Sequence, residues 1–389
     1  MVMTWPIFGA WVSLFKRGWL WLGLSVIVVV FFVQEYFRSK QFLCLFIYFI
    51  IIETYLFFGN TYFKGQLDVL LSIFSLLITG AITHYFVKNL DTKYKMFFLR
   101  IFLLFLLIVS TSSFILNLSF PNVIRENFSY LVSGETSPFS FLERYGLSNY
   151  TLPHAVPVLI PGCVFHLVDR NNKLFKRFVY GALTIACVIL AYVSGSTTAF
   201  LLAILVTIVS FLIRKGRVRD NAVVCSFWGG ITLLMMNDEV VLSLVHLIDG
   251  SFGTSNGGLH DRLMEIESSI VYGATEGDLD SRANLYMSSI DSFSENVLFG
   301  GGKVGGHSVI LDHLGTYGLF GFIPYVLFIY YQIKNTMKYI QPNVRIYYYV
   351  SAFAGLAMLV SKNTSNWYMW CFMFVMSPLL LSYNSKVKQ

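Results

Sequence analysis

Residues 282–321 read RANLYMSSIDSFSENVLFGGGKVGGHSVILDHLGTYGLFG. The first part is polar and acidic, the middle is a glycine-rich run from Gly300 to Gly306, and the part after His307 is a long apolar pattern. An apolar run of this length is typical of a helix that crosses a membrane. The stretch therefore predicts a polar loop that enters a spanning helix through a glycine-rich turn.

The rest of the sequence has the composition of a membrane protein. Of its 389 residues, 56% are hydrophobic and 13% are charged, whereas soluble domains have about 25% charged residues. The sequence predicts an all-α polytopic fold, with residues 1–389 as one integral membrane domain. Apolar runs predict about eleven spans, and residues 3–15 form either a short twelfth span or an interfacial helix. The predicted spans are 18–36, 41–58, 67–87, 96–117, 153–168, 178–194, 198–213, 221–236, 308–333, 346–361 and 366–382.

Lysines and arginines indicate the orientation of these spans. They gather in alternate short loops, which are cytoplasmic by the positive-inside rule. The net charge of +7 is therefore a topology signal and does not indicate nucleic-acid binding. Two long loops then lie on the outer face, at residues 119–152 and 237–307. The basic segments are 88–95, 170–177, 214–219, 334–345 and 386–388.

The second outer loop is acidic and has helical patterns. It carries eleven acidic and three basic residues, a net charge of −8. Apolar residues at helical spacing predict one amphipathic helix around 240–248 and another over 259–270. Asp280 or Ser281 would cap a third helix that begins at Arg282. The loop is therefore expected to fold rather than to remain an extended linker.

Around His307 the residue types suit an anionic ligand. Backbone amides of a glycine run, here with Gly305 and Gly306, can approach an anion closely. Lys303 adds a positive charge, and the dipole of the following helix favours an anion at its start. Gly315, Gly318 and Gly321 fall on one broad helix face, which predicts close approach by a neighbouring span.

Three arginines in the outer loops complete the candidate site. Arg144 lies in the first loop, and Arg262 and Arg282 lie in the second. Guanidinium groups bind phosphate in a bidentate manner and remain charged, so arginines from separate loops together with His307 would suit a diphosphate. An ion pair of Arg262 with Asp261 or Glu265 is the alternative interpretation for that residue. No CxxC, HExxH, P-loop or dinucleotide pattern occurs, so the sequence predicts neither a metal nor a cofactor.

The layout resembles the O-antigen polymerases of the Wzy type and the related O-antigen ligases. The similarity lies in the many spans, the late outer loop, the spacing of His307 and Gly318, and Arg282 before the segment Asn296–Gly300. Ser194-Gly-Ser-Thr-Thr198, which by itself predicts a tight turn between two spans, resembles a small-polar turn of this family. Arg144 is the best match for the family's early-loop arginine. Arg262 with Gly273 fits an Arg-x10-Gly pattern of some polymerases, which leaves the partner of His307 open.

What the resemblance implies is a metal-independent, inverting glycosyltransferase with a GT-C-like helical body in the bacterial inner membrane. Its site would face the periplasm and move a glycan from undecaprenyl diphosphate onto the non-reducing end of a new lipid-linked repeat unit. Arg144 and Arg282 would stabilise the diphosphate, and His307 would be either the general base or a phosphate ligand. The implied partners are the lipid-linked oligosaccharide, membrane lipid and a chain-length regulator.

Two other functions fit parts of the sequence. An O-antigen ligase uses the same donor but transfers the glycan to lipid A-core; the sequence HSVILDHLGTYG, with Asp312 after His307, more closely resembles polymerases. A flippase of lipid-linked oligosaccharides is the alternative from another class. Transporters commonly have internal repeats and charges at the membrane midplane, whereas this sequence has no visible repeat and gathers its polar residues in the outer loops.

Overall fold

The computed structural model describes residues 34–58, 76, 80, 92–120, 123–124, 152–213, 238–252, 257–272, 278–302, 306, 308–361 and 367–382. These residues form helices and turns, and no strand occurs among them. A 3-10 helix covers Val156–Leu159, another covers Pro342–Val344, and a π-helix covers Phe372–Met376. The α-helices are α1 Gln34–Phe37, α2 Lys40–Phe58, α3 Thr92–Ser119, α4 Leu152–Ala155, α5 Ile160–Val168, α6 Leu174–Val193, α7 Thr197–Leu212, α8 Asp238–Phe252, α9 Gly257–Tyr272, α10 Asp278–Glu295, α11 Val309–Met337, α12 Arg345–Ser361, α13 Trp367–Cys371 and α14 Ser377–Ser382.

By length and composition, four helical segments of the described chain can cross a membrane: Lys93–Ser119, Leu174–Val193, Val309–Met337 and Pro342–Ser361. Hydrocarbon offers no partner to a backbone amide, so a long apolar run satisfies its hydrogen bonds within a helix. Three shorter apolar helices cover Leu152–Val168, Thr197–Leu212 and Tyr368–Ser382. The predicted helical, multi-pass character is confirmed at this level. Predicted spans 18–36, 67–87 and 221–236 lie mainly outside the described residues, so the count of eleven or twelve stays a prediction.

The amphipathic helices predicted in the second outer loop are present as α8, α9 and α10. The third begins at Asp278, so the prediction that it begins at Arg282 is wrong. The sequence places Asp278 and Asp280 in the first turn of α10, a position that the helix dipole makes favourable for acidic residues. Whether this loop faces the periplasm stays a prediction.

Contacts group the chain into two compact units. Unit 1 comprises Met1–Arg100, Asn284–Gln341 and Gly355–Gln389. Its described part is organised by α2 and α11, which pack side by side. Residue numbers rise along α2 as they fall along α11, so the two helices are antiparallel. Three side-chain contacts show this order: Gln41 with Asn335, Tyr48 with Tyr325, and Tyr55 with Tyr317.

Unit 2 comprises Ile101–Ala283 and Pro342–Ala354. Its apolar helices α5, α6 and α7 pack on one another. Ser110 Oγ donates a 2.6 Å hydrogen bond to the carbonyl of Ala186 and so ties α3 to α6. A small apolar core of Phe200, Val245 and Leu263 joins α7 to the amphipathic helices α8 and α9.

Candidate functional site

Most of the side chains predicted to form the site lie outside the described residues. This is the case for Arg144, Lys303, Gly305 and His307. Arg262 lies on α9 and Arg282 on α10, but neither side chain is described. Of the predicted site residues, Gly306 is placed in full, with a left-handed φ of 77°. The predicted meeting of arginines with His307 therefore stays a prediction, and the structure describes the backbone frame on either side of position 307.

The helix after His307 is broken at Gly318. This residue has φ 57° and ψ −163° within α11, a conformation that is essentially restricted to glycine and costs an L-residue about 1–3 kcal/mol. A Cβ atom here would lie 2.5 Å from the carbonyl carbon and oxygen of Leu298. The prediction that Gly315, Gly318 and Gly321 lie on one face of a continuous helix is thus wrong at Gly318. Helix α11 consists of two segments, 309–317 and 319–337, and the close approach at Gly318 comes from the loop before α11.

Residues 296–302, which we call the glycine turn, supply the hydrogen bonds that α11 loses at the break. The amide of Leu319 donates to the carbonyl of Val297, and the amide of Phe320 donates to the carbonyl of Leu298, each at 3.0 Å. The carbonyl of Gly315 accepts from the Gly301 amide at 3.1 Å and from Ser292 Oγ at 3.0 Å. An unpaired backbone group inside a membrane protein is costly, so these bonds make the break stable.

Glycines in this region allow backbone to lie directly on backbone. A Cβ on Gly300, whose φ is 76°, would be 2.5 Å from the carbonyl of Thr316. A Cβ on Gly301 would be 2.7 Å from the carbonyl oxygen of Ser292, and one on Gly315 would be 2.5 Å from that of Ser289. No side chain larger than hydrogen fits at these three positions without a shift of the surrounding backbone.

Among the described residues of the glycine-rich run, three have amides that bond to protein acceptors. The Gly300 amide donates to the Asn296 carbonyl at 2.6 Å, and the Gly301 amide donates to the Gly315 carbonyl. The Gly306 amide donates to Asp312 Oδ1 at 3.2 Å. An anion-binding nest would therefore have to use other amides of the run, and the nest that the sequence predicts stays a prediction.

The first turn of α11 fixes the residues on both sides of position 307. Ser308 is buried and caps the helix, since its Oγ accepts from the Leu311 amide at 3.2 Å. Asp312 Oδ1 accepts from Gly306 and, at 2.8 Å, from Ser289 Oγ on α10. A carboxylate is favourable at the positive end of a helix. It also places a negative charge beside the position where the sequence predicts a diphosphate.

His313 is a candidate functional residue that the sequence patterns did not single out. Its Nδ1 lies 2.6 Å from the carbonyl of Val309; because a carbonyl only accepts, Nδ1 carries the hydrogen and Nε2 carries the lone pair in the neutral ring. The ring stacks on Tyr325, with centroids 4.5 Å apart, and faces Tyr48 at 5.9 Å. Its spacing of four from Tyr317 on α11 was the available signal, but an apolar helix favours a packing role for such a residue.

In unit 2, a buried histidine contacts a buried serine. His154 Nε2 lies 2.9 Å from Ser196 Oγ, and both side chains are buried. Ser196 caps α7 by accepting from the Ala199 amide, while Ser194 Oγ donates to the Ala191 carbonyl. The predicted tight turn is confirmed over Ser194–Ser196, where Gly195 has a φ of 67°. Thr197 and Thr198 already belong to α7. Nothing in the sequence paired this turn with His154, which stands 42 residues earlier.

Within the described residues, no three His, Cys, Asp or Glu side chains are arranged to hold a metal ion. The chain matched no protein-family model, no curated protein and no solved structure.

Proposed function

We propose that this protein is a membrane-embedded glycosyltransferase that polymerises lipid-linked repeat units, as O-antigen polymerases of the Wzy type do. The proposal includes a GT-C-like body in a bacterial inner membrane, with the loops 119–152 and 237–307 in the periplasm. Its starting point is the resemblance of residues 282–321 to that family. The observation that supports it most strongly is the fixed backbone on either side of position 307. Gly306 and Ser308 both form hydrogen bonds with the first turn of α11, and the glycine turn holds this helix at its break.

A fixed backbone matters because this reaction depends on alignment. The bond between the sugar C1 and the diphosphate oxygen breaks, a bond between C1 and the acceptor hydroxyl oxygen forms with inversion, and the hydroxyl proton must leave. Holding a catalytic group within a few tenths of an ångström of its reactive geometry removes much of the entropic part of the barrier. A helix that glycines and backbone hydrogen bonds hold in place suits that requirement.

In this proposal the residues divide the chemistry between them. Arg144 and Arg282 stabilise the negative charge that grows on the departing diphosphate. Arg262 is the alternative to Arg282, and Lys303 with the amide of Gly305 adds to the same binding site. The Gly306 amide, which the sequence also predicts there, is already bonded to Asp312. His307 receives the acceptor proton, and neither a metal nor a cofactor takes part.

Asp312 favours the general-base role of His307 over a phosphate-binding role. Its carboxylate accepts a hydrogen bond from Gly306, the residue directly before His307. A nearby negative charge stabilises an imidazole that has taken up a proton. The same charge repels a diphosphate, so we place the diphosphate with the arginines and the acceptor hydroxyl with His307.

The purified full-length protein provides the direct test. In detergent, with lipid-linked repeat units and a chelator, it is expected to produce longer lipid-linked chains without any partner or ion gradient. His307→Ala should lower this rate about 100-fold or more, the usual contribution of a general base. His246→Ala, which removes an exposed histidine from α8, is the matched control and should leave the rate unchanged. A folded wild-type protein that lengthens no chain would refute the proposal and leave the ligase and transporter alternatives.

Arginine variants separate the two candidate partners of His307. Arg282→Ala should abolish lengthening and Arg262→Ala should not, while Arg282→Lys should recover part of the rate, because lysine keeps the charge but loses bidentate binding. Equal loss in both alanine variants would assign the diphosphate to both arginines.

Asp312→Asn decides between the two roles of His307. Asparagine can still accept the hydrogen bonds from Gly306 and Ser289, but it removes the charge. If His307 is the base, the rate falls. A faster Asn variant would instead show that the carboxylate hindered a diphosphate at this position, and would make His307 a phosphate ligand.

Deletion of the gene in its own host distinguishes polymerase from ligase. Loss of a polymerase should leave core carrying a single repeat unit, whereas loss of a ligase should leave bare core. The pattern on a lipopolysaccharide gel is the measurement, and complementation by the wild-type gene is the control.

A further inference from the structure

In unit 1, a group of cations lies where the start of α2 meets the last turns of α11. The group consists of Arg38, Lys40, Lys334 and Lys338, all exposed, and we call it the cationic patch. Two contacts bring the two chain segments together. The Asn335 side chain donates to Gln41, and Lys40 Nζ lies 6.0 Å from the ring centroid of Tyr331. The patch is therefore built from distant parts of the sequence, and it is not a simple run of charges.

The chain segments that carry the patch contain little negative charge to neutralise its four cations. Between positions 34 and 41 and between positions 330 and 341 the sequence has four basic residues and one acidic residue, Glu35. Lys334 and Lys338 also lie at the carbonyl end of α11, where the helix dipole favours cations. The dipole offsets only about half of one positive charge, so the patch keeps a net positive charge and is suited to attract an anion.

Tyrosine rings lie beside the lysine side chains at the surface. Lys334 Nζ lies 5.5 Å from the ring centroid of Tyr330, and Lys40 lies over Tyr331. Tyr330 is 51% exposed. Tyrosine is enriched at membrane-water interfaces, and lysine extends its ammonium group from there towards water. The patch thus has the residue types that proteins place at the level of the lipid headgroups.

Exposed apolar side chains continue from the patch along both helices. On α2 they are Leu43 and Phe46, and on α11 they are Leu327 and Ile323. Because α11 is long and apolar enough to cross a membrane, these side chains are suited to contact acyl chains. Cations at the end of an apolar face match the two halves of a phospholipid.

We propose that the cationic patch binds the phosphate headgroup of an anionic membrane lipid, whose acyl chains lie along the exposed apolar faces of α2 and α11. The proposal does not depend on the glycosyltransferase proposal, since it uses residues of the membrane body alone. Its ligand is recognised by charge and by the neighbouring apolar surface, so a zwitterionic lipid would bind more weakly.

Photocrosslinking of the full-length protein tests this binding site. The protein is placed in bilayers of equal parts phosphatidylcholine and phosphatidylglycerol that contain a photoactivatable phosphatidylglycerol, and crosslinked peptides are mapped by mass spectrometry. Crosslinks are expected in residues 37–41 and 330–341. The double variant Lys40→Gln/Lys334→Gln should lower that yield about 25-fold, because each juxtamembrane lysine contributes a roughly fivefold preference for an anionic surface.

The double variant Lys173→Gln/Lys176→Gln is the matched control. It likewise removes two lysine charges, both at the start of α6, and one of them, Lys176, also lies over a tyrosine ring. It should leave the yield at the patch unchanged. Unlabelled phosphatidylglycerol should compete, whereas phosphatidylcholine and soluble glycerol phosphate should not. An unchanged yield in the Lys40/Lys334 variant, an equal loss in the control, or equal competition by phosphatidylcholine would overturn the proposal, and competition by glycerol phosphate would assign the patch to free phosphate.

Discussion

Two polar turns in this protein each introduce an apolar helix, and they are held in different ways. The glycine turn before α11, in unit 1, is fixed by backbone amides and carbonyls of residues 297–301 and 315–320. The turn Ser194–Ser196 before α7, in unit 2, which we call the serine turn, is fixed by hydroxyl groups and by His154. Backbone contacts leave no space for a side chain, whereas side-chain contacts can be removed one at a time. The glycine turn should therefore be much less tolerant of substitution.

Gly318→Ala should have the largest effect on stability. It places a Cβ 2.5 Å from the Leu298 carbonyl and requires a φ of 57° with a ψ of −163°, which together should cost on the order of 3 kcal/mol. The thermal unfolding midpoint in detergent is the measurement. Gly250→Ala, at a helical glycine with nothing within 4 Å of the added Cβ, is the control and should be neutral or stabilising. Equal midpoints for the two variants would contradict a backbone-held turn.

His154→Ala should weaken the serine turn by about 2 kcal/mol, the usual cost of leaving a buried polar group without its partner. Ser196→Ala should cost a similar amount, because it also removes the cap of α7. If the two side chains stabilise each other, the double variant will cost less than the sum of the single variants. A strictly additive result from the same unfolding measurement would show that the 2.9 Å contact contributes nothing.

Gly306→Ala separates backbone conformation from crowding in the region before α11. Gly306 has a φ of 77° but nothing within 4 Å of an added Cβ, so the cost should be only the conformational one, about 1 kcal/mol. Gly306→Asn should cost less, because asparagine enters this conformation more readily. If Gly306→Ala is as damaging as Gly318→Ala, close packing is not what distinguishes the glycine turn.

The smallest expected effect is a pH dependence in unit 2. His260 on α9 lies 2.7 Å from Asp249 on α8, and this hydrogen bond, with the charges of Asp249 and Asp261, raises the pKa of His260 above 6.5. Because the folded pKa is raised, the stabilisation is complete below pH 6.5 and is lost as the pH rises through the folded value.

Amide hydrogen exchange, corrected for the intrinsic effect of pH on exchange, measures this pH dependence in α8 and α9 and compares it with residues 309–320. Protection of α8 and α9 should fall between mildly acidic and mildly alkaline pH, while protection of residues 309–320 should stay constant. His260→Gln should remove the pH-dependent part. If protection of α8 and α9 and protection of residues 309–320 change in parallel with pH, the His260–Asp249 pair is not the source of the pH dependence.

Local patterns predicted the helices but not what joins them. Apolar runs located α3, α6, α7, α11 and α12, because hydrocarbon leaves a backbone few alternatives to a helix. The break at Gly318 was missed, since glycines spaced for one helix face look the same whether the helix continues or stops. Its stability comes from the carbonyls of Val297 and Leu298, a tertiary contact that no spacing rule contains. The meeting of His154 with Ser196 was missed for the same reason, and the convergence of Arg144, Arg282 and His307 awaits the biochemical tests described above.

The close contact between Gly300 and Gly318 has a consequence for how this sequence can change over generations. A Cβ on Gly318 would lie 2.6 Å from the amide nitrogen of Gly300, and one on Gly300 would meet the carbonyl of Thr316. Neither position can accept a larger residue unless the backbone of the glycine turn or of α11 moves. In a library of single substitutions both sites should therefore be almost empty of survivors. Variants that regain a stable fold should carry changes in both the turn and the helix. The residues at positions 300 and 318 are therefore expected to change together rather than singly.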